Sequence, residues 1–132
     1  MIIAVAVDDH MGMTFNKRRQ SRDSALCADL TQSVETVLRI NAYSAPLFEP
    51  SDKIIVSEDF LESAGPKDVC FVENVSIAPY VDRVDAYIIY RWNRNYPRQT
   101  TFDGDLEGYV LQSTTEFAGT SHDKITKEIY VK

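Results

Sequence analysis

Six consecutive apolar residues, Ile2-Ile3-Ala4-Val5-Ala6-Val7, constrain this chain more than any other feature. A run without polar alternation, rich in β-branched side chains, suits a strand covered on both faces, and such a strand sits in the middle of a layered sheet. Asp8-Asp9-His10 follows at once, so charge gathers at the carboxyl end of the run.

The rest of the chain repeats this pattern in shorter pieces. From Ser21 or Asp23 onward, Ala25, Leu26 and Leu30 recur at helical spacing, and either polar residue can cap a helix expected to end near Ser33. Thr36 to Tyr43 alternates as a second strand would. Lys53 to Val56 reads as a short strand or as the entry to a helix over Glu58 to Ala64, which Gly65-Pro66 stops. Asp68 to Asn74 and Val84 to Trp92 are expected as buried strands, with a single turn at Ala78-Pro79-Tyr80-Val81 between them. Gly108 to Gln112 reads as a further strand and Ser113-Thr114-Thr115-Glu116 as a capping box. Ile125 to Val131 reads as a last strand, with Ile125, Ile129 and Val131 on one side. Strands interleaved with helices define an α/β class: one layered domain over residues 1–132, its sheet mostly parallel or mixed and flanked by helices. In open sheets of this class, ligands bind outside the carboxyl ends of the strands.

Composition narrows the function classes. The 132 residues, 44% of them hydrophobic, are enough for one core, and the net charge of −6 counts against a nucleic-acid surface of the usual basic kind. No apolar run approaches the ~20 residues a membrane span needs, and no signal-like segment is visible, so a cytoplasmic setting is expected. Cys27 and Cys70 lie in apolar surroundings without metal-type spacing and read as buried free thiols.

Against that acidic background, Lys17, Arg18, Arg19 and Arg22 set four cations in six positions just before the expected helix. Guanidinium forks suit phosphate or carboxylate, and a helix entrance adds backbone donors. The segment therefore reads as an anion-binding loop for a small phosphate-bearing ligand, held by Asn16, Arg18, Arg19, Gln20 and Arg22, with Arg91 or Arg94 closing from another strand. The competing reading is a solvated loop or a salt-bridge network with Asp8, Asp9 and Asp23. Gly12 is the one nearby glycine, so neither the Walker nor the dinucleotide pattern is met.

Asp8, Asp9 and Glu73 offer an alternative, a metal-dependent phosphoester hydrolase or nuclease holding Mg²⁺ or Mn²⁺. A protein-interaction domain is the third reading. His10 and His122 have no partner spacing and read as solvated side chains. Tyr90 to Pro97 alternates aromatics with arginines, either as a strand end with a Trp-capped core or as a ring-stacking platform. No Gly-x-Ser-x-Gly elbow is present, so no serine nucleophile is expected.

The runs Ile3 to Asp9, Met11 to Ser21, Tyr90 to Arg94 and Glu116 to Thr126 resemble a family of small uncharacterised proteins from anaerobic gut bacteria, whose members are often labelled "ribonuclease Z". That label implies a zinc-dependent tRNA-processing endonuclease of the metallo-β-lactamase fold. Such chemistry needs a His-x-His-x-Asp-His cluster, and two isolated histidines build no paired zinc site. The first strand and its turn also resemble small domains of nitrogenase-cofactor assembly, which implies a ribonuclease-H-like layered fold. Thr14-Phe15-Asn16 stands where that group has His-Phe-Gly.

Overall fold

The computed structural model describes residues 1–132. In chain order its strands are β1 (Ile2–Val7), β2 (Gly12–Phe15), β3 (Arg18–Arg19), β4 (Leu38–Ile40), β5 (Ile54–Val56), β6 (Val69–Val72), β7 (Ala86–Arg91), β8 (Thr100–Thr101), β9 (Val110–Phe117) and β10 (Ile125–Val131). One α-helix, α1 (Ser24–Ser33), joins β3 to β4. Seven strands form one sheet in the order β5-β4-β6-β1-β7-β10-β9, and β3-β2-β8 form a second, smaller one.

The apolar run of β1 is the middle strand, as expected, with β6 and β7 parallel to it on either side. Its side chains feed two cores. Ile3, Val5 and Val7 face Cys70, Val72, Tyr87 and Ile89, while Ala4 shares the opposite face with Leu26 and Leu30 of α1. The sheet is mixed: β5, β4, β6, β1 and β7 run parallel, then β10 and β9 pair antiparallel at one edge. The α/β class expected from the sequence is the class observed.

Helix α1 begins where the sequence places it. Asp23 is its N-cap in extended conformation, accepting from the amides of Ala25 at 2.9 Å and Leu26 at 3.3 Å. Leu26, Cys27 and Leu30 form its buried face. Both cysteines are buried and free.

Several expectations are corrected. Residues 58–64 form successive turns instead of a helix, because seven residues are too few to hold a helix by themselves, and Phe60, Leu61 and Ala64 reach the core from those turns. Ser113-Thr114-Thr115-Glu116 is no capping box. It lies inside β9, where pairing to β10 from Ile125 to Val131 overrides the local motif. Beside its one α-helix the sheet carries short 3₁₀ segments at Ala45–Leu47 and Ala78–Arg83, the second of which extends the single Pro-led turn expected there to six residues.

The arginine segment is a hairpin. Phe15 pairs with Arg18 across Asn16 and Lys17, whose φ values of 52° and 61° mark a two-residue primed turn that matches the twist of its strands. Lysine pays a steric penalty at positive φ that glycine does not. Lys17→Gly should therefore raise stability by about 0.5–1 kcal/mol, read as a higher urea midpoint with unchanged slope. An unchanged or lower midpoint would refute the turn assignment. No helix of the chain is long and apolar enough to cross a membrane.

Candidate ligand crevice

A crevice opens outside the carboxyl ends of β1, β6 and β7, roofed by the β2–β3 hairpin and walled by α1. Its interior is narrow, about 20 Å³, or room for about one water. Outside it lies a wider mouth of about 540 Å³, lined by Phe15, Asn16, Arg18, Tyr96 and Pro97. Arg19 and Gln20 border both spaces and join them.

Three polar hubs hold this region. Asp8 is fully buried at the end of β1, where its carboxylate accepts from the amides of Gly12 at 2.7 Å, His10 at 2.9 Å and Tyr96 at 3.2 Å and from Gln20 Nε2 at 3.2 Å. Burial alone would raise its proton affinity, but these donors outweigh burial and hold the carboxyl below its ordinary range. Gly12 is required beside it. A Cβ there would meet Gln20 Nε2 at 2.6 Å and Asp8 Oδ1 at 2.9 Å.

Arg19 forms the second hub. Its guanidinium donates to both oxygens of Glu73, at 2.8 and 3.1 Å, and to the Tyr43 carbonyl at 2.9 Å, and it lies 4.4 Å from the Tyr43 ring centroid. Ser44 also donates to Glu73, at 2.7 Å. The hairpin is thus clamped to the ends of β4 and β6.

The third hub is Asp23. Besides capping α1 it accepts from the amides of Thr120 at 2.9 Å and Ser121 at 2.8 Å and from His122 Nδ1 at 2.9 Å. Burial pushes its pKa up, but the His122 bond and the backbone donors prevail and hold it at about 2. His122 is 5% exposed, stacks on Trp92 with ring centroids 4.5 Å apart, and meets Ser21 Oγ at 2.9 Å and Tyr96 Oη at 3.2 Å through Nε2. The expectation of a solvated His122 is corrected, since the ring is buried among partners. Cys27, on the same wall, has its thiol pushed up to about 12 by burial and is not a nucleophile.

The candidate residues named from the sequence are only partly brought together. Asn16, Arg18, Arg19 and Gln20 lie at the mouth, and Arg22 lines the interior with its side chain exposed. Asn16 is a turn residue whose amide donates to Gln99 at 2.7 Å. Arg91 is turned elsewhere, to Glu128 at 2.7 Å and Met11 Sδ at 3.5 Å, and Arg94 is exposed with its carbonyl accepting the Asp9 amide. Neither closes on the hairpin. Asp8, Asp9 and Glu73 do not form a group that could hold a metal ion: Asp8 is saturated by donors, Asp9 is exposed, and Glu73 is paired with Arg19.

Gln20 stands apart. Its Nε2 donates to Asp8 and to the Pro97 carbonyl at 3.1 Å, both acceptors, which fixes the orientation of the amide. Its Oε1 is then left buried without a partner, the one such side-chain atom in the protein. No local pattern signals this atom, because the orphan arises only when the hairpin folds onto Asp8.

No protein-family model matches the chain, and no curated protein does. Among solved structures the fold is that of the dihydrofolate reductases. The chain is similar to dihydrofolate reductase from Enterococcus faecalis complexed with NADP(H) and RAB-propyl, with a TM-score of 0.65, 11% identity, and coverage of 99% of this chain and 95% of that one.

This likeness corrects the resemblance read from the sequence. The architecture is neither the metallo-β-lactamase fold nor a ribonuclease-H-like layer, and no match supports the "ribonuclease Z" family. This likeness speaks against the anion-binding reading, and the metal-hydrolase and interaction-domain alternatives fit it no better. Their physical weakness is visible in the site, where Arg19 is consumed by Glu73 and Tyr43 and the carboxylates are dispersed or saturated.

Proposed function

We propose that this protein binds a small nitrogen heterocycle at the mouth of the crevice, with the reductase fold as scaffold. The observation that carries the reading is the buried, unpartnered Oε1 of Gln20, an acceptor left free for an N–H of a ligand on a residue that lines both the interior and the mouth. Phe15 and Tyr96 supply aromatic surface beside it, and the mouth falls within the usual size range of small-molecule sites. A pteridine of the dihydrofolate kind presents both the flat ring and the N–H donors that such a site selects.

The neighbouring enzyme is complexed with NADP(H), and the residues here do not fit that cofactor. A dinucleotide diphosphate is commonly held by a helix N-terminus behind a glycine-rich turn. The one α-helix has its first amides occupied by the Asp23 carboxylate, and no glycine-rich turn follows β1 or β7. The proposed function therefore has no step through the dinucleotide.

Calorimetric titration with dihydrofolate tests the proposal. Wild-type protein should bind, and Gln20→Met, which keeps length but removes the acceptor, should weaken binding by about tenfold, the equivalent of one hydrogen bond. Absence of binding by the wild type, or equal affinity in the variant, would overturn it.

A further inference from the structure

The sequence contains no serine-hydrolase elbow, yet folding assembles a serine, a histidine and a carboxylate in relay on the crevice wall. Ser21 Oγ lies 2.9 Å from His122 Nε2, and His122 Nδ1 lies 2.9 Å from Asp23 Oδ2. Asp23 offers only acceptors, so Nδ1 carries the ring proton and, in the neutral ring, Nε2 is the acceptor that faces the serine hydroxyl. Four backbone amides fix the carboxylate, and Trp92 stacked on the ring fixes the imidazole plane. A nucleophile, a base in hydrogen-bond reach and a group orienting that base are the parts covalent catalysis requires, whatever their order in the chain.

The surroundings favour the nucleophilic role. Ser21 is half-buried and lines the crevice. The backbone N–H groups of Ser21 and Arg22 donate to no backbone acceptor within the protein, so both are available to an oxygen of a bound ester. The interior has room for about one water, so an acyl chain that enters it is limited to about the size of a methyl group, and the wide mouth accommodates a larger leaving group.

We propose that Ser21, His122 and Asp23 form an acyl-transfer centre that hydrolyses esters of short carboxylic acids. Ser21 Oγ attacks the carbonyl carbon as its proton passes to His122 Nε2. The bond to the leaving oxygen then breaks, the alcohol departs with that proton, and an acyl ester remains on Ser21. Water attacks this ester, gives a proton to Nε2, and releases the carboxylic acid as Ser21 Oγ takes the proton back. Ester and water become acid and alcohol, with no further reactant. Ser21 and His122 are the catalytic residues and Asp23 positions the ring. Tyr96 Oη, 3.2 Å from the same Nε2, competes with Ser21 for its lone pair.

This proposal goes beyond heterocycle binding and is tested without the heterocycle. Full-length protein is treated with a fluorophosphonate probe, the modified residue is located by mass spectrometry, and hydrolysis of p-nitrophenyl acetate is followed in parallel. Ser21 should be labelled, and Ser21→Ala, which removes one half-buried hydroxyl from a loop, should lose the label and about a hundredfold or more of the esterase rate with an unchanged circular dichroism spectrum. His122→Gln should retain the hydroxyl yet lose labelling. Because that variant could lose its fold through the Asp23 contacts, the Ser21→Ala comparison decides by itself. Wild-type protein unlabelled at Ser21, labelled only elsewhere, or hydrolysing the ester no faster than Ser21→Ala overturns the proposal.

Discussion

Replacing Asp23 with Ala is expected to destabilise the protein by about 3–5 kcal/mol, the largest effect of any single polar substitution in the chain. The carboxylate does three jobs at once. It caps α1, a role worth about 0.5–2 kcal/mol, it satisfies the amides of Thr120 and Ser121, and it accepts from Nδ1 of buried His122. Truncation leaves those donors without their acceptor. For a chain of this size the loss corresponds to a fall in Tm on the order of 10–20 °C.

The pH dependence has a definite sign. Asp23 is held at about 2 against an ordinary value of 3.8, so the native state favours the ionised form. Its stabilisation is fully present above about pH 4 and is lost as pH falls through 2. Asp8 and Asp68 are lowered as well and add to the same acid limb. Urea titrations at pH 7 and pH 3 should show a smaller acid-induced loss in Asp23→Ala than in the wild type. Equal losses, or a variant as stable as the wild type at pH 7, would remove Asp23 from its central place.

Arg19→Ala is expected to cost about 2–3 kcal/mol, well beyond the usual effect of removing a surface charge. The arginine side chain is 21% exposed and its Glu73 partner 9%, so truncation strands a nearly buried carboxylate and exposes the face of Tyr43. Adding Glu73→Gln should restore about half of the loss, because the uncompensated charge is then gone. A double-mutant cycle in urea measures this coupling. A cation reserved for a ligand would leave stability unchanged when removed. Additive losses in the cycle would likewise show that the clamp is not the source of the effect.

How much of this was legible in the sequence depends on the reach of each interaction. The central strand was readable because Ile2 to Val7 carries its two-faced burial in six adjacent letters, and α1 because Asp23 caps it within three residues. The hairpin was not, since Asn16-Lys17 lacks the glycine that usually marks a primed turn and β3 has only two residues. The cluster of arginines is plain in the sequence from its charge, but charge density does not say which partner consumes it, and Glu73 lies 54 positions from Arg19. The relay through His122 joins residues 99 and 101 positions apart, which no local pattern encodes. The turns at 58–64 and the strand at 113–116 show the opposite failure, where local helix and cap signals yield to core packing and strand pairing.

The most direct test of the crevice as a ligand site is a ¹H–¹⁵N NMR titration of the full chain with dihydrofolate, following the Gln20 side-chain amide, the Trp92 indole and the backbone of residues 15–22 and 96–97. Binding in the crevice predicts saturable shifts concentrated on those signals, with the remote β9 edge unmoved. Saturable shifts confined to other surfaces, or none at all, would contradict it.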